Sequence, residues 1–475
     1  MNTDVLLINP RPLATGINEA TIEVPLGILY IASFLESKGF NCKVLDANAM
    51  SLGIEEIIKN VIELSPLLIG ISINAFSYQA ALTYARQIKK NLPDAIIILG
   101  GPQATSAPDL CLENHGIEAV VCSEGEFPTY RIIDNLKKQN HPFKDVPGVV
   151  YKMGGQIIYN PPATRILDLD SLPFPAYHLL PNLRYYRAFV RKWPFMGIVT
   201  SRGCPYQCTF CSKSVFGNRV AFRSPENVIS EIEFLTRSMG IRQIDILDDN
   251  FTSDRGRCEK ICDLLIKKSI KISINLQSGV RIDNIDRDLL LLLKKAGVFK
   301  IAFGVESGDE DILGAIRKNT DPERILMVGR WAREAGMVVI GFFMLGLPYE
   351  NSKTLQKTID FAKKMNPHFA NFMITIPFYG TPLYSLVEEK GRFLIDTKKG
   401  VMVGFYGGNV FFEFGNLTKE IVEHYYNNAY RDFYFRIVKI YDVIASCRSY
   451  SEIRWLLMAT KSVLTNNIRQ WNNKI

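Results

Sequence analysis

Two long blocks of alternating strand-like and helix-like segments most strongly constrain the fold of this chain. In residues 1–140, apolar runs of strand length are separated by segments whose apolar residues recur at helical spacing. Such alternation predicts a parallel sheet with helices on both faces, so we expect an α/β, doubly wound, Rossmann-like domain. The predicted strands are Asp4–Asn9, Cys42–Asp46, Leu67–Ile73, Ala95–Leu99 and Ala119–Cys122, and the predicted helices are Gly27–Lys38, Ile54–Leu64, Tyr78–Asn91 and Glu126–Lys138.

Residues 196–385 repeat the alternation and predict a partial (β/α)6 barrel of the TIM type. Prolines interrupt the periodicity in residues 141–195, where we expect a linker with one hairpin near Val149–Ile158. Residues 386–475 are expected to be mostly helical. In both blocks, ligands are expected at the carboxyl ends of the strands. The predicted barrel strands are Gly197–Thr200, Gln243–Leu247, Lys271–Gln277, Lys300–Val305, Val338–Met344 and Phe369–Ile376.

Three cysteines close together on one loop carry the strongest chemical signal. Cys204, Cys208 and Cys211 follow the first barrel strand in a Cys-x-x-x-Cys-x-x-Cys arrangement. Several thiolates on one loop can converge on one soft metal centre. A structural zinc site is the alternative, but it usually has four ligands in paired Cys-x-x-Cys or His groups, and no second pair or suitable His follows. We therefore expect an iron–sulfur cluster with one iron left open to bind another ligand.

Composition and charge narrow the classes of protein to which the chain can belong. The net charge of +8 is spread over 475 residues without a basic run, which does not indicate nucleic-acid binding. No basic segment precedes the first apolar stretch, and no apolar run reaches the roughly 20 residues that cross a bilayer, so we expect no signal peptide and no membrane span. Nine cysteines is an odd number spread thinly over the chain, which favours a reducing cytoplasm over a disulfide framework.

The C-terminal region contains an apolar row at intervals of four residues. We expect this row to form one helix packed against the barrel, while nearby basic residues leave peripheral membrane contact open as an alternative. The row is Ile421, Tyr425, Ala429, Phe433, Ile437 and Tyr441, and the basic residues are Arg431, Arg436, Lys439 and Arg448.

The cysteine spacing, together with motifs further along the chain, resembles the radical S-adenosylmethionine superfamily. Leu247–Thr252 resembles that family's second-strand motif, Phe303–Gly308 its Gly-Val-Glu-Ser motif, and Gly341–Pro348 its fifth-strand motif. Pro377–Tyr384 is similar to the sixth-strand pattern, although Tyr379 replaces its second proline. The resemblance implies a 4Fe–4S cluster on the three cysteines and S-adenosyl-L-methionine beside it. The residues expected to contact S-adenosylmethionine are Asp248, Asn250, Gln277, Ser278, Arg281, Glu306, Gly341, Gly346 and Pro377.

The first block resembles the cobalamin-binding subgroup of the same family. The matching stretches are Val24–Ala32, Gly100–Pro102 and Gly125–Glu126. Many cobalamin domains place a His below the cobalt, but the loop after the first strand has none, and Gln103 stands where many relatives have His. We therefore expect cobalamin without a histidine ligand, and none of the five histidines is assigned as one. The residues expected to contact cobalamin are Gly27, Gly100, Gly101, Gly125 and Glu126.

The related methylthiotransferases carry a second cluster on three N-terminal cysteines. Cys42, Cys111 and Cys122 do not form that pattern, and thiols in strand runs behave as small apolar groups. We expect no second cluster.

The resemblance implies that a one-electron reductant such as flavodoxin or ferredoxin drives cleavage of S-adenosylmethionine. The expected reaction is methylation of an unactivated carbon in a small-molecule or lipid-like substrate. The alternatives are a radical cyclisation, rearrangement or oxidation without methyl transfer and, from another class, a non-catalytic cobalamin or redox sensor. Aromatic residues around Tyr406, Phe411, Phe412 and Phe414 suggest an apolar substrate, although core packing explains them at least as well. No residue is assigned as a catalytic acid or base.

Overall fold

The computed structural model describes residues 3–13, 22–183, 190–401, 408–454 and 456–457. Its strands are β1 Val5–Asn9, β2 Cys42–Asp46, β3 Leu68–Ser72, β4 Ile96–Gly100, β5 Ala119–Val121, β6 Val149–Met153, β7 Gln156–Tyr159, β8 Phe195–Ile198, β9 Ser201–Arg202, β10 Ala221–Phe222, β11 Gln243–Ile246, β12 Ser273–Val280, β13 Val298–Glu306, β14 Val338–Leu345, β15 Phe369–Ile374, β16 Gly391–Phe393 and β17 Phe412–Phe414. Its helices are α1 Leu26–Ser37, α2 Ile54–Leu64, α3 Tyr78–Asn91, α4 Pro102–Ser106, α5 Pro108–Leu112, α6 Glu126–Lys137, α7 Pro225–Ser238, α8 Arg255–Lys267, α9 Arg287–Lys295, α10 Glu310–Ala315, α11 Pro322–Glu334, α12 Ser352–Met365, α13 Pro382–Lys390, α14 Lys419–Tyr434 and α15 Ile437–Ser446.

The first sheet has the order β2-β1-β3-β4-β5-β6-β7. Strands β1 to β5 are parallel, and the hairpin β6–β7 adds two antiparallel strands beside β5. Buried Val, Ile and Leu residues on both faces of this sheet pack against the helices, as a parallel sheet requires. The chain order reverses at β1 and β3, which is where ligands bind in sheets of this order. The hairpin expected near Val149–Ile158 is present and belongs to this sheet.

The second sheet is parallel, with the order β15-β14-β13-β12-β11-β8. Its strands match the six predicted ones, and helices α7 to α12 connect them, so the predicted partial barrel is confirmed. The pairing of β12 with β13 shifts register between Leu276 and Val280, and that of β13 with β14 shifts between Gly304 and Glu306. Such irregularities redirect side chains, and these two lie at the carboxyl ends of the strands.

Helix starts differ between the two domains. Each of the helices α7 to α13 begins with a Ser, Thr, Asp or Asn whose side chain accepts a hydrogen bond from the first turn. The residues before α1, α4 and α6 are Pro25, Gly101 and Gly125, and they provide no such bond. The first-turn N–H groups of these three helices therefore lack a cap from that position.

The C-terminal apolar row does not form one helix, so that prediction is wrong. The chain breaks at Phe435–Arg436, between α14 and α15. Helix α14 packs on the barrel through Val422, Tyr426, Ala429 and Phe433. Beyond the break, Ile437 and Tyr441 are 87% and 75% exposed.

A buried ion cluster joins the two domains. Arg202, which ends β9, donates from Nη1 to Glu124 Oε1 (2.8 Å) and from Nη2 to Glu126 Oε1 (2.7 Å). Arg165 Nε donates to the other oxygen of Glu124 at 2.8 Å, and the Arg202 guanidinium lies 4.9 Å from the ring centre of Tyr30. The side chains of Arg202, Glu124 and Glu126 are no more than 6% exposed. This cluster ties the end of the first sheet to the start of the cysteine loop.

We expect Arg202→Met to lower the free energy of unfolding by about 3–5 kcal/mol, because buried Glu126 loses its cation and buried Glu124 keeps only Arg165. Urea denaturation followed by circular dichroism measures the change. Arg237→Met is the control, because Arg237 pairs with Glu233 on the surface with its side chain 77% exposed. That variant should stay within about 0.5 kcal/mol of the wild type. Equal losses in both variants would contradict a special role for the buried cluster.

Candidate active site

The cysteine loop leaves β9 at the carboxyl end of the barrel. Gly203 begins it with a φ of +97°, and a Cβ there would lie 2.8 Å from the carbonyl oxygen of Arg219, so the turn requires glycine. Thr209 fastens the loop to the barrel, since its N–H donates to the Ile316 carbonyl and its carbonyl accepts from the Leu383 N–H, both at 3.0 Å. Lys213 Nζ adds a bond to the Cys204 carbonyl at 2.8 Å.

The three thiols on this loop suit a cubane cluster. Cys204, Cys208 and Cys211 are all free, and Cys211 is the exposed one. Desolvation of the sulfurs raises the pKa of Cys208 and raises that of Cys211 to about 11, even though the Cys211 residue reaches the surface, while the cations of Lys318 and Arg281 lower the pKa of Cys208. Metal binding displaces such protons. Within the described ranges, no three His, Cys, Asp or Glu side chains meet closely enough to hold a single ion, whereas the ligands of a cubane each bind a different iron.

Two cations lie beside Cys208. The Arg281 guanidinium sits 3.8 Å from the ring centre of Tyr206, and its Nη1 lies 3.9 Å from the Cys208 sulfur. Lys318 Nζ donates to Glu306 Oε1 at 2.9 Å, and Arg281 also donates to the Lys318 carbonyl. Glu306 has a φ of +65°, so its backbone is held in a conformation that non-glycine residues rarely adopt. Arg281 and Glu306 were predicted site residues, but Lys318 was missed because no motif marks it.

The second-strand motif divides its residues between two tasks. Asp248 accepts hydrogen bonds from Thr200 N, Thr200 Oγ1 and Ser201 Oγ, so its carboxylate fixes the end of β8. Asp249, which lies in the motif but was not among the expected contact residues, accepts from the Gly203 N–H at 3.0 Å. Asn250 is 3% exposed and its buried Nδ2 has no partner among the described residues. An unused buried donor fits a site for a polar ligand such as the methionyl group of S-adenosylmethionine.

Arg165 offers further unused donors beside this motif. Its Nη1 and Nη2 are buried and have no hydrogen-bond partner in the described part of the chain, while Nε donates to Glu124 and the guanidinium lies 5.4 Å from the ring centre of Phe216. Its positive charge also lowers the pKa of Asp249, which burial raises. Sequence reasoning missed Arg165 because it lies in the segment expected to be a linker.

The third-strand residues lie on the irregular end of β12. Gln277 Nε2 donates to Glu23 of the first domain, its Oε1 accepts from Asn275 at 3.0 Å, and Ser278 is exposed. Burial raises the pKa of Glu23 to about 7. Gln277 is thus engaged with the segment before α1.

Packing accounts for Gly341, Gly346 and Pro377, three of the residues expected to contact S-adenosylmethionine. A Cβ on Gly341 would lie 2.7 Å from the Phe343 ring, and one on Gly346 would lie 3.1 Å from Val422 of α14. Glu350 Oε2 fixes the turn after β14 by accepting from the N–H groups of Gly346 and Leu347 at 2.8 Å each. Pro377 is buried, and its carbonyl accepts from Thr397.

The residues predicted to contact cobalamin lie at the carboxyl edge of the first sheet. They differ in exposure, in backbone conformation and in the contacts that they make. Gly27 is exposed, and a Cβ there would meet no atom within 4 Å. Gly101 has a φ of +97° and a Cβ would lie 2.6 Å from the Ile73 carbonyl oxygen, whereas one on Gly100 would make ordinary contacts. A Cβ on Gly125 would lie 2.6 Å from Ile31 Cδ1, and Glu126 is engaged by Arg202. The starts of α1 and α6, which have no side-chain cap, and the open space above Gly27 fit a ligand with polar acceptors.

The first-domain edge touches the mouth of the barrel. Ser214 Oγ, just after the cysteine loop, lies 3.3 Å from the Pro102 carbonyl oxygen. A Cβ on Gly380 would lie 3.4 Å from Ser106. The carboxyl ends of the two sheets therefore meet around the cysteine loop.

Residues 398–401, which we call the C-terminal strap, cover one side of this junction. The side chain of Gln103 donates to the Lys398 carbonyl (3.0 Å), that of Gln79 to the Lys399 carbonyl (2.7 Å), and the Val401 N–H to the Ala75 carbonyl (2.7 Å). Gln103 is thus a buried link to the strap. Phe411, Phe412 and Phe414 belong to a buried apolar cluster and serve core packing, whereas Tyr406 lies outside the described residues.

Several other cysteines and histidines make contacts that indicate a structural role and not a ligand role. Burial raises the pKa of Cys42 and Cys111 to about 12 and that of Cys122 to about 11, so these thiols stay protonated. His368 Nδ1 accepts from the Val339 N–H at 3.0 Å, and burial lowers its pKa to about 4. His178 is mostly exposed and contacts Glu36.

Comparison with known families covers both domains. Residues 198–362 match the radical SAM superfamily, and residues 14–132 match the B12 binding domain. An uncharacterized methyltransferase of Pyrococcus horikoshii is 31% identical over 437 residues, which are 91% of this chain and 92% of that protein. An anaerobic magnesium-protoporphyrin IX monomethyl ester cyclase of Rubrivivax gelatinosus is 28% identical over 395 residues, which are 82% of this chain and 70% of that protein.

A solved structure has the same fold. The radical S-adenosylmethionine methyltransferase TsrM of Kitasatospora setae, with cobalamin and a 4Fe–4S cluster bound, superposes with a TM-score of 0.71 at 18% identity, covering 92% of this chain and 89% of that one. The predicted enzyme class and cofactors, a 4Fe–4S cluster, S-adenosylmethionine and cobalamin, are confirmed at the level of the family. The chain belongs to the radical S-adenosylmethionine superfamily, in the group whose members carry an N-terminal cobalamin-binding domain.

Proposed function

We propose that this enzyme is a cobalamin-dependent C-methyltransferase that methylates an unactivated carbon of a small-molecule or lipid-like substrate. The contact between the first-domain edge and the barrel mouth carries the proposal. Pro102 and Ser106, which follow Gly101, touch Ser214 and Gly380 at the barrel mouth. An edge that takes cobalamin and a loop that takes the cluster then share one space, as a reaction using both cofactors requires.

The cofactors, when bound, supply the radical chemistry and the transferable methyl group, and the chain supplies position and seclusion. Cys204, Cys208 and Cys211 are the proposed cluster ligands. The unused Nδ2 of Asn250 and the Arg281 guanidinium are proposed to orient S-adenosylmethionine. Asp248 positions the loop instead, because Thr200 and Ser201 occupy its carboxylate.

Seclusion comes from the strap and the aromatic residues beneath it. Phe76 of the first domain packs edge-on against Phe378 of the barrel, with ring centres 6.2 Å apart. Hydrogen bonds from Gln79, Gln103 and Val401 close the same side. Covering this side limits the access of water to reactive species, which radical chemistry at an unactivated carbon requires.

A one-electron reductant, such as a flavodoxin or ferredoxin, is part of the proposal. Cys211 is the exposed ligand of the three, so the cluster is proposed to receive electrons from that side of the loop. The structure has no helix, within its described ranges, that is long and apolar enough to cross a membrane.

A radical cyclisation is the second candidate. It is supported by the 28% identity to the Rubrivivax gelatinosus cyclase, which extends over 82% of this chain. The reaction product separates the two candidates, since methyl transfer adds one methyl group to the substrate and cyclisation does not.

The cluster assignment predicts that Cys208→Ala abolishes both the visible absorbance of the cluster and S-adenosylmethionine cleavage. Losing one of three thiolates leaves too few ligands to hold the cubane. Cys447→Ala is the control, because Cys447 is also half-buried but lies far along the chain at the end of α15. Iron and sulfide content should fall in the first variant alone. An intact cluster in Cys208→Ala would contradict the assignment.

The cobalamin assignment predicts that Gly27→Phe lowers retained cobalamin about tenfold or more without unfolding the protein. Gly27 is exposed in the first turn of α1 and a Cβ there would meet no atom within 4 Å, so we expect a phenyl ring to project into the proposed cofactor space. Gly314→Phe is the matched control, an exposed helical glycine in α10 with equally open surroundings. Both variants should melt like the wild type. Equal cobalamin retention would place the cofactor elsewhere.

The reaction class is tested with anaerobically reconstituted protein supplied with hydroxocobalamin, reductant and S-adenosylmethionine. We expect bound cobalamin and formation of both deoxyadenosine and S-adenosylhomocysteine, because the first reports radical formation and the second reports methyl donation. Visible spectra and chromatography measure these products. Deoxyadenosine without S-adenosylhomocysteine would support the cyclase alternative.

A further inference from the structure

Helix α15 is turned with its apolar side outward. Five of its apolar side chains are 49–87% exposed, and Phe435, just before the helix, is 63% exposed. At 100° per residue these positions form one continuous side of the helix. The exposed apolar residues of α15 are Ile437, Val438, Ile440, Tyr441 and Ile444. We call this side, together with Phe435, the α15 apolar face.

The opposite side of α15 carries a network of charged groups that fixes the helix to the barrel. Lys439 is 2% exposed, and its Nζ donates to Asp442 Oδ2 (2.6 Å) and to Asn366 Oδ1 (3.1 Å). Arg333 of α11 donates to both carboxylate oxygens of Asp442, from Nη1 to Oδ2 at 3.0 Å and from Nη2 to Oδ1 at 2.8 Å. Its Nη1 also donates to the Asn366 carbonyl. Rolling the helix to bury its apolar face would break this network and leave its charges unpaired. The outward orientation is therefore built in.

From Phe435 onward, the acidic side chains that the structure describes are paired, and the exposed charges are arginines. Between Phe435 and Leu457 the sequence has two acidic residues, Asp442 and Glu452. Asp442 is held by Arg333 and Lys439, and Glu452 is buried and accepts from Arg191 Nε at 3.0 Å. Arg448 and Arg454 are exposed. From residue 453 onward the sequence adds Arg454, Lys461, Arg469 and Lys474 and has no acidic residue.

We propose that the α15 apolar face, with the arginines beside it, docks on the surface of an anionic phospholipid bilayer. Apolar side chains on one side of a short helix enter the acyl–headgroup boundary, while nearby arginines contact lipid phosphates. The helix has ten residues, about 15 Å in length, and so lies along the surface. A two-fold contact with a second copy would bring like-charged surroundings together, whereas an anionic bilayer complements them.

The site of docking is the side of the barrel away from its mouth. Val443 of α15 packs with Phe299, Val338 and Phe369, which stand at the amino ends of β13, β14 and β15. The proposal is therefore independent of the proposed methyl transfer, and its test uses no cofactor.

The test is cosedimentation of the full chain with sucrose-loaded vesicles of phosphatidylcholine alone or of phosphatidylcholine with phosphatidylglycerol. We expect binding to the anionic vesicles that weakens with added salt. Ile437→Glu/Tyr441→Glu should lower the partition coefficient about tenfold or more, because two charges enter the docking face. Ile62→Glu/Leu67→Glu is the matched control, since both residues are apolar, 48% and 47% exposed, and lie in the first domain.

Circular dichroism and thermal melting show whether both double variants are folded. Both should be, because the substituted side chains are exposed. Failure of the wild-type chain to bind anionic vesicles, or equal binding by the α15 double variant, would overturn the proposal. Light scattering that shows a wild-type dimer dissolved by the same substitutions, without vesicle binding, would assign the face to a second copy instead.

Discussion

The buried ion cluster of Arg202 with Glu124 and Glu126 is the interaction on which the arrangement of the site depends. Arg202 is the residue before Gly203, where the cysteine loop begins, and the two carboxylates flank Gly125 at the start of α6. The same contact thus sets both the direction of the cysteine loop and the position of the cobalamin-domain edge. Because the three side chains are almost fully buried, water cannot substitute for any of them.

The two domains differ in which hydrogen-bonding groups remain unused at the carboxyl ends of their strands. In the barrel, side-chain caps occupy the first turns of α7 to α13, and the unused polar groups are side-chain atoms such as Asn250 Nδ2. In the first domain, α6 starts after Gly125, which provides no side-chain cap, so first-turn backbone N–H groups remain for a ligand. A barrel that orients a small charged ligand needs specific side chains, while an edge that supports a large cofactor needs accessible backbone and space.

Apolar periodicity was sufficient to predict the fold, and local spacing was sufficient to predict the cysteine loop. The bounds of α2 and α3 match the sequence prediction, because strong periodicity leaves no other amphipathic assignment. Partners far apart in sequence could not be predicted: Lys318 meets Glu306, Arg165 meets Glu124, and Asp248 meets Thr200. The prediction that the row through Ile437 and Tyr441 packs against the barrel failed for a related reason. Periodicity shows that a helix has an apolar side but not which way that side faces.

The location of α15 bears on how a lipid-like substrate would be used. The network of Lys439, Asp442 and Arg333 anchors α15 beside the amino ends of the barrel strands, whereas the cysteine loop leaves their carboxyl ends. A bilayer bound at the α15 apolar face would therefore lie on the far side from the barrel mouth. Surface attachment would raise the local concentration of enzyme near lipids, but it would not feed a substrate directly into the site. A membrane-derived substrate would have to leave the bilayer and enter beside the strap that Gln103 holds, and that step favours a molecule with a polar end.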